Sequence, residues 1–239
     1  MAHLILILTY LIGTVSMLVL GIFLFWGPLS LVALGLSEIS VLGLNTCLSL
    51  AFFIQHSTMN RKPFRRWLVK YIHERYHGAF YTIASGIVLL ILAISWQQSG
   101  QILLALQGVP RLLLRAVFFM SFVGFYLGMR ALGSFDSFGV KPILRHLRGV
   151  DPPPPTPFTV RGPYRWVRHP LYFFSLILIW SCPDLTADRL LFNVLWTAWI
   201  IAGTVLEERD LACDFGEAYR DYQRKVPMLI PWHIYPIRK

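Results

Sequence analysis

The sequence predicts an all-α, polytopic integral membrane helical bundle of about six transmembrane helices, and three observations lead there. Hydrophobic residues make up 56% of the 239-residue chain and mean hydropathy is +0.57. A water-facing surface accommodates less than this, so part of the solvent is lipid. The apolar residues run continuously instead of alternating, and a backbone crossing hydrocarbon must satisfy its own hydrogen bonds, which favours helices over barrel strands. The net charge of +10 lies between the apolar runs: six Lys or Arg fall in residues 61–75, seven in 130–168 and six in 209–239, leaving Arg111, Arg115 and Arg189. With an even number of spans these three segments share one face, which the positive-inside rule makes cytoplasmic along with both termini. A surplus of this size on a soluble domain would suggest nucleic acid; its placement at span ends assigns it to topology.

About twenty residues cross a bilayer. Residues 4–26 meet that length before Gly27-Pro28 breaks the helix; the run lacks a basic leader and reads as a signal anchor. A second span covers about 39–55 and a third about 78–96. Between them, Arg65, Arg66 and Trp67 beside Pro63 read either as a plain topology signal or as an interfacial helix on the anionic leaflet. A fourth span covers about 112–132, after the polar stretch 97–111. The next thirty-odd residues stay out of the membrane and include Pro152, Pro153, Pro154, Pro155 and Pro157, a polyproline II spacer. This spacer divides the chain into a transmembrane scaffold, 1–150, and a working segment, 151–239. Cys47, Cys182 and Cys213 are odd in number and carry no CxxC pattern, so neither a disulfide framework nor a metal site is expected.

The last two apolar runs, 171–182 and 190–206, are separated by residues 183–188. The first would extend only about 18 Å as a helix against about 30 Å of hydrocarbon, so it must sit shallow or be shielded by protein. A hairpin of this kind returns the chain to its starting face. It therefore brings Arg168 and His169 to Glu207 and Glu208 despite a sequence separation of 38 between His169 and Glu207. The hairpin opens on Arg161-Gly162-Pro163-Tyr164-Arg165-Trp166-Val167-Arg168-His169-Pro170-Leu171-Tyr172. Pro170 suits a first helical turn, where its missing donor is no loss, with amides nearby that favour anionic groups. Carboxylates ending the last span oppose both the macrodipole and the basic loops, so they require cationic or hydroxyl partners; alternatively the helix continues to Asp214 and they pair with Arg165 or Arg168 at the surface, a contact worth little if exposed. Beyond them Phe215, Tyr219, Tyr222 and Val226 form one helical stripe, which either lies on the membrane or caps the hairpin.

Arg168-His169-Pro170-Leu171-Tyr172, then Glu207-Glu208, Phe215-Gly216, Tyr219-x-x-Tyr222 and Lys225-Val226-Pro227, resemble the isoprenylcysteine carboxyl methyltransferase superfamily of membrane methyltransferases. The resemblance covers about the last eighty residues. It implies that the C-terminal cytoplasmic segment is cofactor-binding, enclosing S-adenosylmethionine with His169, Pro170, Tyr172, Glu207, Glu208 and Tyr164. Gln55-His56-Ser57-x-Met59-x-Arg61 and Ser134-Phe135-Asp136-x-Phe138-Gly139 resemble the branch containing NnrU proteins and the bacterial methanethiol S-methyltransferases. That branch implies methylation of a small thiol, methanethiol to dimethyl sulfide, in the bacterial inner membrane. Two positions depart from the superfamily pattern: Phe174 stands where a small residue is usual, and Lys225 where prenylcysteine enzymes carry arginine. An ammonium does not replace a bidentate guanidinium on a carboxylate, so carboxyl methylation loses ground.

A sulfonium methyl donor calls for carboxylates on its amine and hydroxyls and for aromatic faces on its cation. A thiol reacts as its thiolate, so a base helps. His56, at the end of an otherwise apolar span, reads either as that base or as a polar cap of the helix end, and His169 serves equally as base if it does not orient the cofactor; Lys225 is the second catalytic candidate. The expected partners are a small apolar acceptor and membrane lipids, with no metal and no nucleic acid. The competing readings are a methyltransferase acting on a lipid amine or an isoprenylcysteine carboxylate, and a non-catalytic NnrU-like accessory protein.

Overall fold

The structure, a computed structural model, describes residues 1–133, 136–151 and 158–232. The spacer expected at 152–157, and Ser134-Phe135 of the motif after the fourth span, lie outside these residues. The helices are α1 (Ala2–Trp26), α2 (Glu38–Asn60), α3 (Lys62–Leu68), α4 (His77–Ser95), α5 (Gly108–Ala131), α6 (Lys141–Arg148), α7 (Pro170–Trp180), α8 (Ala187–Phe215) and α9 (Glu217–Lys225). A two-stranded ribbon pairs β1 (Ile102–Ala105) with β2 (Asp184–Thr186). Among the described residues five helices, α1, α2, α4 with the turn before it, α5 and α8, are long and apolar enough to cross a membrane. The protein is thus an integral membrane helical bundle. The sixth expected span, α7, has 11 residues, about 16 Å of helix.

The chain folds into two compact units that interleave in sequence. The first holds Met1–Ile102, the described part of Asp136–Pro154, and Thr186–Phe192; the second holds the described residues of Leu103–Phe135, Pro155–Leu185 and Asn193–Lys239.

In the first unit, α1 and α4 approach closely because small residues line the seam. A Cβ on Gly86 would come within 2.8 Å of the Ile12 side chain, and one on Gly13 within 2.6 Å of the Phe138 ring. The seam hydroxyls bond within their own helix, Thr9 to the Ile5 carbonyl (2.6 Å) and Ser16 to that of Gly13 (3.0 Å). The segment before α6 docks on α4 by backbone contact: a Cβ on Gly78 would lie 2.6 Å from Gly139 Cα, and Thr82 donates to the Phe138 carbonyl at 2.9 Å. Asp136 accepts from the Val140 and Lys141 amides at 3.1 and 2.8 Å and so caps α6. The Asp136-x-Phe138-Gly139 motif therefore has a structural explanation. At the far ends of these helices, buried Asp188 accepts from Trp96 Nε1 (2.9 Å) and the Ser99 amide (3.0 Å). Arg189, a cation outside the three basic segments, reaches the Phe23 and Leu24 carbonyls at 3.4 and 3.1 Å and caps α1.

In the second unit, Gly124 and Gly128, one turn apart on α5, make room for α7. A Cβ on Gly124 would sit 2.2 Å from the Phe174 ring, and one on Gly128 2.8 Å from Leu171. Protein therefore shields the short helix on this side. Trp180 Nε1 donates to Thr197 Oγ1 at 3.0 Å, tying α7 to α8. The Leu106 amide meets the Pro183 carbonyl at 3.0 Å and Arg111 pairs with Asp184 at 2.7 Å, so the stretches expected as plain links carry the ribbon. Of the two readings of the last span's end, the structure takes the continued helix, since α8 runs beyond 206 to Phe215. Hydropathy ends at Leu206, but the helical backbone does not require apolar residues and continues because Leu211 and Ala212 pack under α9. Glu207 and Glu208 thus stand inside a helix, and the conflict expected with a C-terminal dipole does not arise. Gly216, at φ 59°, makes the turn into α9, a conformation that a side chain would resist.

Candidate functional site

The site is built from three segments of the second unit. Gly162–Arg165 is a tight turn carrying Tyr164, after which the chain extends through His169 (φ −123°) until Pro170 starts α7. The extended stretch pairs with the residues after α9: the Arg168 and His169 amides donate to the Pro227 and Met228 carbonyls at 2.9 and 3.1 Å. Backbone groups that neither helix satisfies are thereby bonded, and α9 is strapped across the start of α7. The strap is glued by Tyr219, Tyr222 and Val226 packed with Phe158, Val160, Leu211 and Ala212. Of the two placements open for the aromatic stripe, Tyr219 and Tyr222 take the one against the hairpin.

Glu208 is the hub. Its Oε1 accepts from Arg168 Nε (2.7 Å), His169 Nε2 (2.8 Å) and the Tyr219 hydroxyl (2.8 Å), and its Oε2 from Arg168 Nη2 (2.7 Å) and Gln223 Nε2 (2.6 Å). A carboxylate offers about four lone-pair positions, so five donors saturate it. Arg168 grips it bidentately and spends Nη1 on the Gln223 carbonyl (3.0 Å) and the Val226 carbonyl, closing the last turn of α9. Because Glu208 only accepts, His169 Nε2 carries the proton toward it. That leaves Nδ1, 3.9 Å from Glu207 Oε2.

Glu207 is its opposite. Its side chain is 44% exposed, against 9% for Glu208, and among the described residues it accepts one hydrogen bond, from the Tyr172 hydroxyl at 2.7 Å. The Tyr172 ring stacks on His169 at 14° between planes, so one aromatic fixes both neighbours. Burial, and then the charge of Glu207, push the Tyr164 phenol above its ordinary range. Burial and then the hydrogen bond to Glu208 do the same for Tyr219, and burial does so for Tyr222, whose hydroxyl donates to the Tyr164 carbonyl. These phenols are donors at neutral pH, not bases.

The structure thus brings together His169, Pro170, Tyr172, Glu207 and Glu208, with Tyr164 alongside. Lys225 is exposed in the last turn of α9 and forms no ion pair among the described residues. His56 belongs to the first unit, where its Nε2 lies 2.6 Å from the Tyr81 hydroxyl and its ring 5.1 Å from that of Phe52. Phe174, the departure from the small-residue pattern, turns its ring to Gly124 of α5. Sequence reasoning brought Arg168 to the glutamates, with Arg165 as an alternative partner, but missed Tyr219 and Gln223 as ligands of Glu208. The one legible signal was that a carboxylate pair needed partners. Among the described residues no group of three His, Cys, Asp or Glu converges as a metal site.

The profile of the NnrU protein family matches residues 45–212, ending before α9. A methanethiol S-methyltransferase of Pseudomonas sp. strain GM41 is 38% identical over 181 residues, 75% of this chain and 69% of that protein. One from Mycobacterium tuberculosis is 32% identical over 182 residues, 76% and 74% of the two chains. Nurim of Rattus norvegicus is 23% identical over 187 residues, 73% and 70%. No solved structure matches.

Proposed function

The chain belongs to the NnrU protein family, and from that premise we propose that it is a membrane methyltransferase that uses S-adenosylmethionine to convert methanethiol to dimethyl sulfide. The observation that carries the reading is the division of labour between adjacent glutamates: Glu208 is consumed by five protein donors, while Glu207 keeps an oxygen open beside Tyr172, Tyr164 and His169. The names of the 38% and 32% identical relatives support the acceptor.

The donor set fits a sulfonium amino acid nucleoside. Glu207 would hold its ammonium or ribose hydroxyls, and the Tyr164 and Tyr172 rings would face its cation. When bound, S-adenosylmethionine would supply a methyl group on positive sulfur, open to displacement by a thiolate with a neutral sulfide as the leaving group. The remaining work of the chain is positioning. Glu208 fixes the His169 ring, Tyr172 stacks on that ring and steers Glu207, and α9 holds the motif backbone. His56 is the base assigned to the thiol proton. The basic segments set this face in the cytoplasm with both termini, in a bacterial inner membrane.

Purified protein in lipid nanodiscs, given labelled S-adenosylmethionine and methanethiol, should release labelled dimethyl sulfide into the headspace. Donor binding without any thioether would overturn the acceptor, and no donor binding at all would overturn the enzyme.

A further inference from the structure

The stretch from α3 to Tyr71 presents a surface that methyl transfer does not use. Arg65, Arg66, Trp67, Val69, Lys70 and Tyr71 are all exposed, whereas Leu68 between them is buried and anchors the helix. The apolar members are not scattered: Phe64, Trp67 and Tyr71 form a ladder with ring centroids 5.4 and 5.1 Å apart. Trp67 is 50% and Tyr71 70% exposed. Exposed rings of this ladder would leave apolar surface in bulk water, whereas the headgroup layer suits rings with one apolar and one polar edge.

Among the described residues, Arg66 and Lys70 beside the ladder have no acidic counterpart. Between Glu38 and Asp136 the chain carries a single acid, Glu74. Arg66 and Lys70 form no ion pair with a described residue, and Arg65 is steadied by Asn60 Oδ1 at 2.6 Å, an uncharged partner. Connectivity puts the surface at the bilayer edge, because α2 spans and ends at Asn60 and α3 begins after Arg61 alone.

We propose that α3 and the residues to Tyr71 are a docking surface for anionic phospholipid headgroups, with Arg65, Arg66 and Lys70 on the phosphates and Trp67 and Tyr71 at the level of the glycerol and upper acyl chains. This goes beyond the methyl-transfer reading and stands or falls without it. The charge component is about 5-fold in affinity per cation at the surface of an anionic leaflet.

The test uses the full chain, delipidated in neutral detergent and titrated with phosphatidylglycerol or phosphatidylcholine brominated near the glycerol. Wild type should be quenched at lower phosphatidylglycerol than phosphatidylcholine, and the quench should shrink in Trp67→Phe. Arg66→Gln/Lys70→Gln should weaken phosphatidylglycerol about 25-fold while leaving phosphatidylcholine unchanged. Equal quenching of wild type by the two lipids would overturn the proposal. So would a double variant that binds phosphatidylglycerol like wild type, or displacement of the lipid by inorganic phosphate at matched ionic strength. The wild-type and Trp67 measurements decide the matter even where the double variant fails to fold.

Discussion

Two buried carboxylates on α8 are bonded by protein donors at both oxygens, yet one belongs to a closed structure and the other to an open one. Near the start of the helix, Asp188 takes Trp96 and the Ser99 amide, and its neighbour Arg189 is spent on the last carbonyls of α1. Twenty residues on, Glu208 takes Arg168, His169, Tyr219 and Gln223, but its neighbour Glu207 keeps an exposed oxygen. A buried carboxylate bonded at both oxygens thus does not by itself mark a functional site. What marks it is a saturated group holding an unsaturated one in place, since the fixed scaffold removes the ordering cost from binding.

The comparison can be broken most forcefully at Glu208. Glu208→Ala leaves the Arg168 guanidinium buried without its partner and should cost about 3–5 kcal/mol, read as a large fall in thermal unfolding temperature and loss of donor binding. Unchanged stability would deny the hub. Gly124→Val comes next: its branched side chain would strike Phe174, forcing α7 off α5 at a cost of about 1–3 kcal/mol. Phe174→Ala in the same background should restore much of it. Asp188→Asn should cost about 1–3 kcal/mol with S-adenosylmethionine affinity of the folded fraction unchanged; a selective loss of donor binding would make that end functional too. Glu207→Gln should move stability by less than about 1 kcal/mol, yet weaken donor binding about 100-fold in calorimetry, a charge-assisted contact being worth about 1.5–3 kcal/mol. Equal donor affinity in that variant would remove Glu207 from the site. Finally, His56→Ala should lower kcat by about 100-fold or more with donor affinity kept, and less so at high pH, where the thiol ionises unaided. A pH-independent loss would make His56 and Tyr81 a packing pair.

Much of this protein was determined by sequence alone. Five of the six spans follow from hydropathy over about twenty residues, a one-dimensional property that lipid reads directly. The meeting of His169 with Glu207 and Glu208 follows from the return of a hairpin to its own face. Two other features were decided only in the tertiary structure: which glutamate is consumed and which stays open, and the direction of the Phe174 ring. Each depends on side chains from separate segments sharing one small volume. Saturating Glu208 takes Arg168 and His169 from before α7 and Tyr219 and Gln223 from α9. Phe174 fits because Gly124, fifty residues earlier, has no side chain. Linear patterns record how each residue meets lipid or water, whereas hydrogen-bond saturation and ring packing depend on what the other segments leave unfilled.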